Sequence, residues 1–310
     1  MKILITGANG LIGNALIEQL SCRKQYVAIG ITRKDYNLTK SQEVESMFEK
    51  HKPDYVINTA ASVGGILGNC NNHASYFLNN TLINTLIIDA CYRHKVKKLL
   101  NMSSTCIFPL SKETFNESDM HDGPPFEAHY AYAYSKRMID IQCKAYDDQY
   151  GQKNYSCIIP GNVFGPNDRF DISNGHVIPS LLLKIFLANK NKTPLEIWGD
   201  GSPKREFIYS HDLANIMLDI LELENIPRNI LVCSDVELTI KQLVETITQQ
   251  INFDLPIIWN SQKPNGQLRK KSDTKLLKSL LPNIKFTNFN QAIKKTYEWL
   301  ENNYPDVRLK

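Results

Sequence analysis

The chain is short of one-sided features, and each shortage excludes a class of protein. Its net charge is only +4, with 36 basic side chains scattered among 32 acidic ones, so no patch of one sign offers itself to nucleic acid or a membrane surface. No apolar run is long enough to span a bilayer, and Met1-Lys-Ile-Leu-Ile-Thr6 enters a strand pattern at once, without the charged segment and cleavage site of a secretory leader. A soluble cytoplasmic protein is the expectation. Cysteine occurs seven times, at 22, 70, 91, 106, 143, 157 and 233, an odd number with no C-x-x-C spacing. Neither a disulfide framework nor a zinc site is indicated, no metal is expected, and most of these thiols read as small core hydrophobes. Low-complexity stretches, long linkers and internal repeats are missing too. That leaves a 310-residue chain with room for one large α/β domain or two lobes.

What is present begins with a strand, Lys2 to Thr6, a turn, Gly7-Ala-Asn9-Gly10-Leu11-Ile12-Gly13, and a helix from Leu11 to Leu20 with apolar residues at helical spacing. Glycines in this G-x-x-G-x-x-G pattern permit the sharp turn, the approach of backbone N–H groups to a pyrophosphate and tight helix packing, and the helix N-terminus favours negative charge. The second strand, Tyr26 to Ile31, ends in Thr32-Arg33-Lys34-Asp35. An acid at this position bonds the ribose of NAD, whereas a cation suits the 2′-phosphate of NADP. Arg33 argues for NADPH, although Asp35 is close by; Asp35 and Leu38 could border the adenine. A third strand, Tyr55 to Thr59, runs into Ala60-Ala61-Ser-Val63-Gly-Gly65, small enough to let backbone approach a ligand. The mostly apolar helix from about Tyr76 to His94 carries Asn80, either a polar contact or a structural amide.

Tyr132-Ala-Tyr-Ser-Lys136 places a phenol and an ammonium one above the other on a helix face. Lys136 would then lower the Tyr132 pKa from its free value of about 10. Such a pair alone is weak evidence: Tyr36 and Lys40 match the same spacing in a polar stretch with no strand ahead, and read as surface residues. The Tyr132 pair gains weight from Ser104 and Thr105, which close a strand over Val96 to Met102 at the end where open parallel sheets bind ligands. Further on, Cys157 to Pro160 reads as a strand leading to Asn162 and Val163, and Gly175-His176 opens a helix bearing Lys184. Leu195 to Phe207 reads as a strand, a tight turn and a strand, Ser210-His-Asp212 as the cap of a helix over Leu213 to about Leu221, and Pro264 to Lys271 as a basic loop.

These residues resemble the extended short-chain dehydrogenase/reductases over nearly the whole chain, in particular the NADPH-dependent 3,5-epimerase/4-reductases of GDP-4-keto-6-deoxy-D-mannose. The likeness rests on GANGLIG at 7–13, NTAASVGGI at 58–66, SSTCIFP at 103–109, YAYSKRMID at 132–140, NVFGPND at 162–168, GHVIP at 175–179, WGDGSPKREFIYS at 198–210 and NGQLRKK at 265–271. It implies a Rossmann-type doubly wound parallel sheet over 1–163 and 207–236, with a smaller α/β substrate lobe over 164–206 and 237–310. It further implies Ser104, Tyr132 and Lys136 as reductase triad and Cys106 and His176 as epimerase pair, with Cys106 the base and His176 the acid. Lys184, Arg205 and Lys270 fall where the family holds the diphosphate of a GDP-sugar, with Trp198, Asn162 and Thr105 nearby. Gly7, Asn9, Gly10, Leu11, Ile12, Gly13, Ala60, Ala61, Val63, Asn80, Pro160, Val163 and His176 fall along its NADPH, and relatives pair as homodimers through helices near 76–94 and 132–150.

Four alternatives stay in view. A 4,6-dehydratase would carry Asp-Glu where Cys106-Ile107 follows Thr105. A 4-epimerase that recycles bound NAD fits poorly with Arg33 and the Cys106/His176 pair. A plain 4-reductase of a related GDP-sugar, a heptose included, shares every motif. A binding protein without turnover would commonly lack Tyr132 or Lys136.

Overall fold

The computed structural model describes residues 1–262 and 268–308; Pro264 to Gln267 of the expected basic loop lie outside them. The first half of the chain runs β1 (Lys2–Thr6), α1 (Leu11–Ser21), β2 (Val27–Ile31), α2 (Ser41–His51), β3 (Tyr55–Asn58), α3 (Ile66–Asn71), α4 (His73–Arg93), β4 (Lys98–Met102), β5 (Thr114–Phe115) and α5 (Tyr130–Tyr150). The second continues with β6 (Tyr155–Pro160), β7 (Asn162–Phe164), α6 (Val177–Asn191), β8 (Leu195–Trp198), β9 (Lys204–Tyr209), α7 (Ser210–Glu222) and β10 (Asn229–Val232). It closes with β11 (Glu237–Thr239), α8 (Ile240–Gln250), β12 (Ile257–Asn260), β13 (Lys271–Ser272), α9 (Lys275–Leu280) and α10 (Phe289–Asn303).

Six strands form one sheet in the order β10-β6-β4-β3-β1-β2, and every pairing in it is parallel. Ile3, Leu4 and Ile5 of β1, like Val56 and Ile57 of β3, are fully buried, as a strand covered on both faces requires. On one face α2, α4 and α5 close over Val44, Phe48, Ile87 and Ile139; on the other α1, α7 and α9 close over Leu16, Leu213, Met217 and Leu277. This is the doubly wound α/β arrangement. The strand order reverses between β1 and β3, which opens a crevice at their carboxyl ends. A third apolar cluster gathers α6, α8 and α10 around Phe164, Phe170 and Phe207. It belongs to a second lobe whose small sheets are β11-β9-β7 and β12-β8, while β13 pairs with β5.

Both strands of the 195–207 segment form as expected, with Gly199 and Gly201 at positive φ between them, and each pairs elsewhere: β8 joins β12 and β9 lies between β7 and β11. The turn separates the strands because each finds its partner far along the chain. Ser210 and Asp212 do not cap α7, which already starts at Ser210 with no side-chain cap. Asp212 instead accepts bonds from Thr287 N at 2.9 Å and Thr287 Oγ1 at 2.7 Å, pinning the stretch before α10 to the sheet-side helix. Among the described residues no helix is long and apolar enough to cross a membrane.

Candidate active site

The crevice is lined first by the β1–α1 turn. Gly7 sits at φ +69, where a Cβ would stand 2.9 Å from Thr59 Oγ1 and 3.0 Å from Ala60 N. A Cβ on Gly13 would meet Gly7 O at 2.3 Å and Ala8 Cα at 2.7 Å, so only glycine lets α1 lie against its own turn. Asn9 is exposed at the apex, and α1 opens at Leu11 with Gly10 as N-cap, no side-chain cap and no acid in its first turn. The N–H groups of Leu11, Ile12 and Gly13 are left for an anion, which fits a dinucleotide pyrophosphate. Arg308, which no motif pointed to, brings a guanidinium nitrogen within 3.9 Å of the Cβ position of Gly10 and adds positive charge beside the turn.

At the end of β2 the two candidates separate. Arg33 is exposed. Asp35 turns back, its Oδ2 accepting from Thr32 N at 2.8 Å and Thr32 Oγ1 at 2.7 Å, and these bonds hold its carboxyl below the usual range. The acid is engaged in its own turn, and the free side chain at this edge is the cation. Leu38 is packed in the core beneath. Ala60 N approaches Thr6 Oγ1 at 3.4 Å, Ala61 is partly buried and Val63 exposed. Asn80 clasps Ser62, accepting from its N–H at 2.8 Å and donating to its carbonyl at 2.9 Å, so it acts as a structural amide that shapes this segment. Pro160 ends β6, Asn162 donates from Nδ2 to Glu206 O at 2.8 Å, and Val163 packs towards the sheet-side core.

Ser104 follows β4 and caps the single turn Thr105–Ile107, its Oγ accepting from Cys106 N at 3.2 Å. Tyr132 and Lys136 rise from the start of α5, both buried, with Lys136 only 2% exposed. Tyr132 and Ser104 act on each other across the cleft floor, Ser104 favouring the ionised phenol. The expected lowering of the Tyr132 pKa does not hold here. Burial raises it well above the ordinary value, the nearby Cys106 sulfur adds to the rise and Ser104 only opposes it. Lys136 directs its Nζ to Met102 O at 2.7 Å, and burial draws its own pKa down to about 8. In this arrangement desolvation outweighs the helix-face neighbour. Tyr36 packs against the core with its ring 6.1 Å from that of His51, and Lys40 pairs with Glu43 at 3.4 Å, so that second match stays structural.

Around Cys106 the two lobes meet. Lys270 Nζ lies 3.8 Å from its Sγ. Burial alone would push the thiol up, but Lys270, His129 and Ser104 outweigh it and hold the thiol well below its ordinary range. His176 precedes α6 at the rim of the cleft. The surrounding protein lowers its pKa, the Cys106 charge pulls the other way, and Arg169 and Lys270 add to the fall. Arg205 on β9 also feels the Cys106 sulfur. Lys184 stands further off on α6, its Nζ 4.7 Å from the centre of the Trp198 ring and 3.2 Å from Glu196 O. The expected substrate set thus falls into two groups, Arg205 and Lys270 beside the thiol and Lys184 with Trp198. Thr105 is buried beneath the first. His129 had escaped notice: a lone histidine three residues ahead of Tyr132 carries no pattern of its own. Among the described residues no group of three or more His, Cys, Asp or Glu could hold a metal ion.

A glycine turn at a switch point, with a Ser/Tyr/Lys constellation at the ends of the next strands, defines an extended short-chain dehydrogenase/reductase. The chain belongs to the NAD dependent epimerase/dehydratase family, whose model matches residues 3–233. It is 37% identical to the GDP-L-fucose synthase of Dictyostelium discoideum, over 99% of this chain and 97% of that protein. It is 33% identical to the GDP-L-fucose synthase of Escherichia coli (strain K12), over 97% of each. The GDP-L-fucose synthetase of Naegleria fowleri, solved bound to NADP, superposes with a TM-score of 0.91 at 34% identity, over 99% of this chain and 96% of that one.

Proposed function

We propose that the protein is an NADPH-dependent GDP-L-fucose synthase, which inverts C3 and C5 of GDP-4-keto-6-deoxy-D-mannose and then reduces its 4-ketone. The observation that carries this reading is the acid/base pair of Cys106 and His176 beside the reductase hydroxyls, in a chain with GDP-L-fucose synthases as full-length relatives. The ketone acidifies the hydrogens on both neighbouring carbons. Cys106, its thiol held well below the ordinary range, accepts a proton from carbon, and His176 returns one to the enolate. Ser104 and Tyr132 hold O4 where negative charge develops. Bound NADPH supplies the hydride for C4, while Tyr132 gives its proton to the oxygen and Lys136 keeps that end of the site cationic. The β1–α1 turn would hold the pyrophosphate, Arg33 the 2′-phosphate, and Lys184, Arg205 and Lys270 the diphosphate of the sugar nucleotide.

On this reading residues 1–163 and 207–236 serve the cofactor, and 164–206 and 237–310 the substrate. A homodimer through α4 and α5 is supported by their outward apolar side chains, with Phe77 and Leu78 on one helix and Tyr134, Met138 and Ile141 on the other exposed. A cytoplasmic place fits the seven unpaired cysteines. The deciding experiment incubates the enzyme with NADPH and GDP-4-keto-6-deoxy-D-mannose in heavy water and reads the product by NMR. GDP-L-fucose carrying deuterium at both C3 and C5 is expected; an unlabelled D-configured alcohol would leave a simple 4-reductase.

A further inference from the structure

Lys270 is carried by a short stretch, 268–273, that is pinned on both sides of it. Downstream, Lys271 N donates to Glu113 O at 3.0 Å, Asp273 N to Phe115 O at 2.8 Å, and Ser272 N to the buried Glu206 carboxylate at 2.7 Å. Upstream, Lys204 N donates to Leu268 O at 2.8 Å. There Arg269 also closes a two-pronged salt bridge with Glu237, Nε to Oε1 at 2.7 Å and Nη2 to Oε2 at 2.9 Å. Glu237 is fixed in turn, because it opens β11 and stands opposite Glu206 in the antiparallel pairing with β9. The Lys270 ammonium then lies 3.8 Å from Cys106 Sγ, although the two residues are 164 apart in the chain. Burial pushes that thiol up, and Lys270 leads the groups that bring it below its ordinary range.

We infer that Glu237 is a positioning residue: its fork on Arg269 sets the 268–273 stretch so that the Lys270 ammonium stands beside the Cys106 sulfur. The inference rests on the reading of Cys106 and Lys270 as site residues and names what brings them together. A lysine is a point charge on a flexible four-carbon stem and does not fix its own position. A guanidinium gripped by both oxygens of a carboxylate fixes an orientation as well as a distance. Between the bridge that pairs Arg269 with Lys204 and the strand that begins at Lys271, adjacent side chains leave the backbone on opposite sides. A grip on Arg269 therefore sets the roll of the backbone and with it the direction in which Lys270 departs. The side chains of Arg269 and Glu237 are 34% and 18% exposed, so solvent screens the pair and its net contribution to stability is small. Breaking it should move Lys270 without unfolding the chain.

Alkylation by iodoacetamide, followed on the Cys106 peptide by mass spectrometry from about pH 5 to 10, reads how far the nearby cation favours the thiolate. The buried Cys91, Cys143, Cys157 and Cys233 in the same digest report whether each variant is folded. K270M is expected to raise the midpoint of the profile by about one pH unit, and E237Q by roughly half a unit. R269K, which keeps the charge but cannot make the fork, should move it the same way as E237Q. Because Glu237 works through Lys270, the double variant E237Q/K270M should shift no further than K270M alone. A wild-type midpoint in folded E237Q or R269K overturns the inference. So does a wild-type midpoint in K270M, or a double variant in which the two shifts add in full. The assay contains neither nucleotide nor sugar. An enzyme that reduces without epimerising in heavy water would remove Cys106 as the base and leave the alkylation result standing, so the two readings fail separately.

Discussion

On the proposed mechanism Tyr132 gives up a proton, and its burial fits that role. A phenol held above its ordinary pKa is fully protonated through the physiological range, ready to give its proton to an oxyanion that is more basic still. Tyr132→Phe should therefore lower the rate of 4-keto reduction by about 10²–10⁴-fold, read as NADPH consumption in single-turnover absorbance, while leaving NADPH affinity nearly unchanged. Glu206 gives a second residue-level prediction. It is 5% exposed, and burial pushes its carboxyl up to about 7, although Ser272 N–H donates to it at 2.7 Å. An acid with a folded pKa above its unfolded one retains protons that the unfolded chain gives up. Its contribution is present below the unfolded value near 4.5 and is lost as pH rises towards 7, at about 1.4 kcal/mol per pH unit where only the unfolded form is ionised. Glu206→Gln should flatten the fall in denaturant midpoint between pH 5 and 7; a slope equal to wild type would disprove the assignment. Residue identities such as Tyr132, Lys136 and Cys106 could be picked from their motifs, but the sign of the Tyr132 shift could not. Sequence spacing shows which group is a neighbour, whereas desolvation depends on everything packed around it.

At the scale of elements, the β1–α1 unit was the most legible part of the chain, because an apolar strand, a glycine turn and a periodic helix are each local signals. Its consequence is testable. Gly13→Ala would place a methyl 2.3 Å from Gly7 O, so either the turn or α1 must move. A loss of about 1–3 kcal/mol in stability, together with at least tenfold weaker NADPH binding by fluorescence titration, is expected. The 195–207 segment was less legible. Its strands and turn follow from alternation and Gly199/Gly201, but its partners, Ile257–Asn260 for one strand and Asn162–Phe164 for the other, lie too far along the chain for local pattern to indicate. Asn80 and Asp35 mark the same limit: the sequence left each open between a ligand contact and a structural group, and Asn80 spends its polar atoms on the Ser62 backbone while Asp35 accepts from the N–H and hydroxyl of Thr32.

For the whole molecule, the proposed dimer puts the outward face of α4 and α5 against a second copy. Met138 and Ile141 are 44% and 46% exposed and one turn apart, so Met138→Glu combined with Ile141→Glu should convert a dimer to a monomer in light scattering after gel filtration, with the active-site geometry of each chain retained. A dimeric double variant, or a monomeric wild type, would move the interface elsewhere. By itself the sequence determined the α/β class, the glycine turn, the helix that carries Tyr132 and Lys136, and the side-chain types able to move protons, since these depend on periodicity, turn chemistry and side-chain type over a few neighbours. Only the tertiary structure decided that Lys270 stands beside Cys106, that Arg308 returns from the far end of the chain to the glycine turn, and in which direction each pKa moves. Those properties come from contacts between residues well separated in the chain, where distance in the chain and distance in space are unrelated.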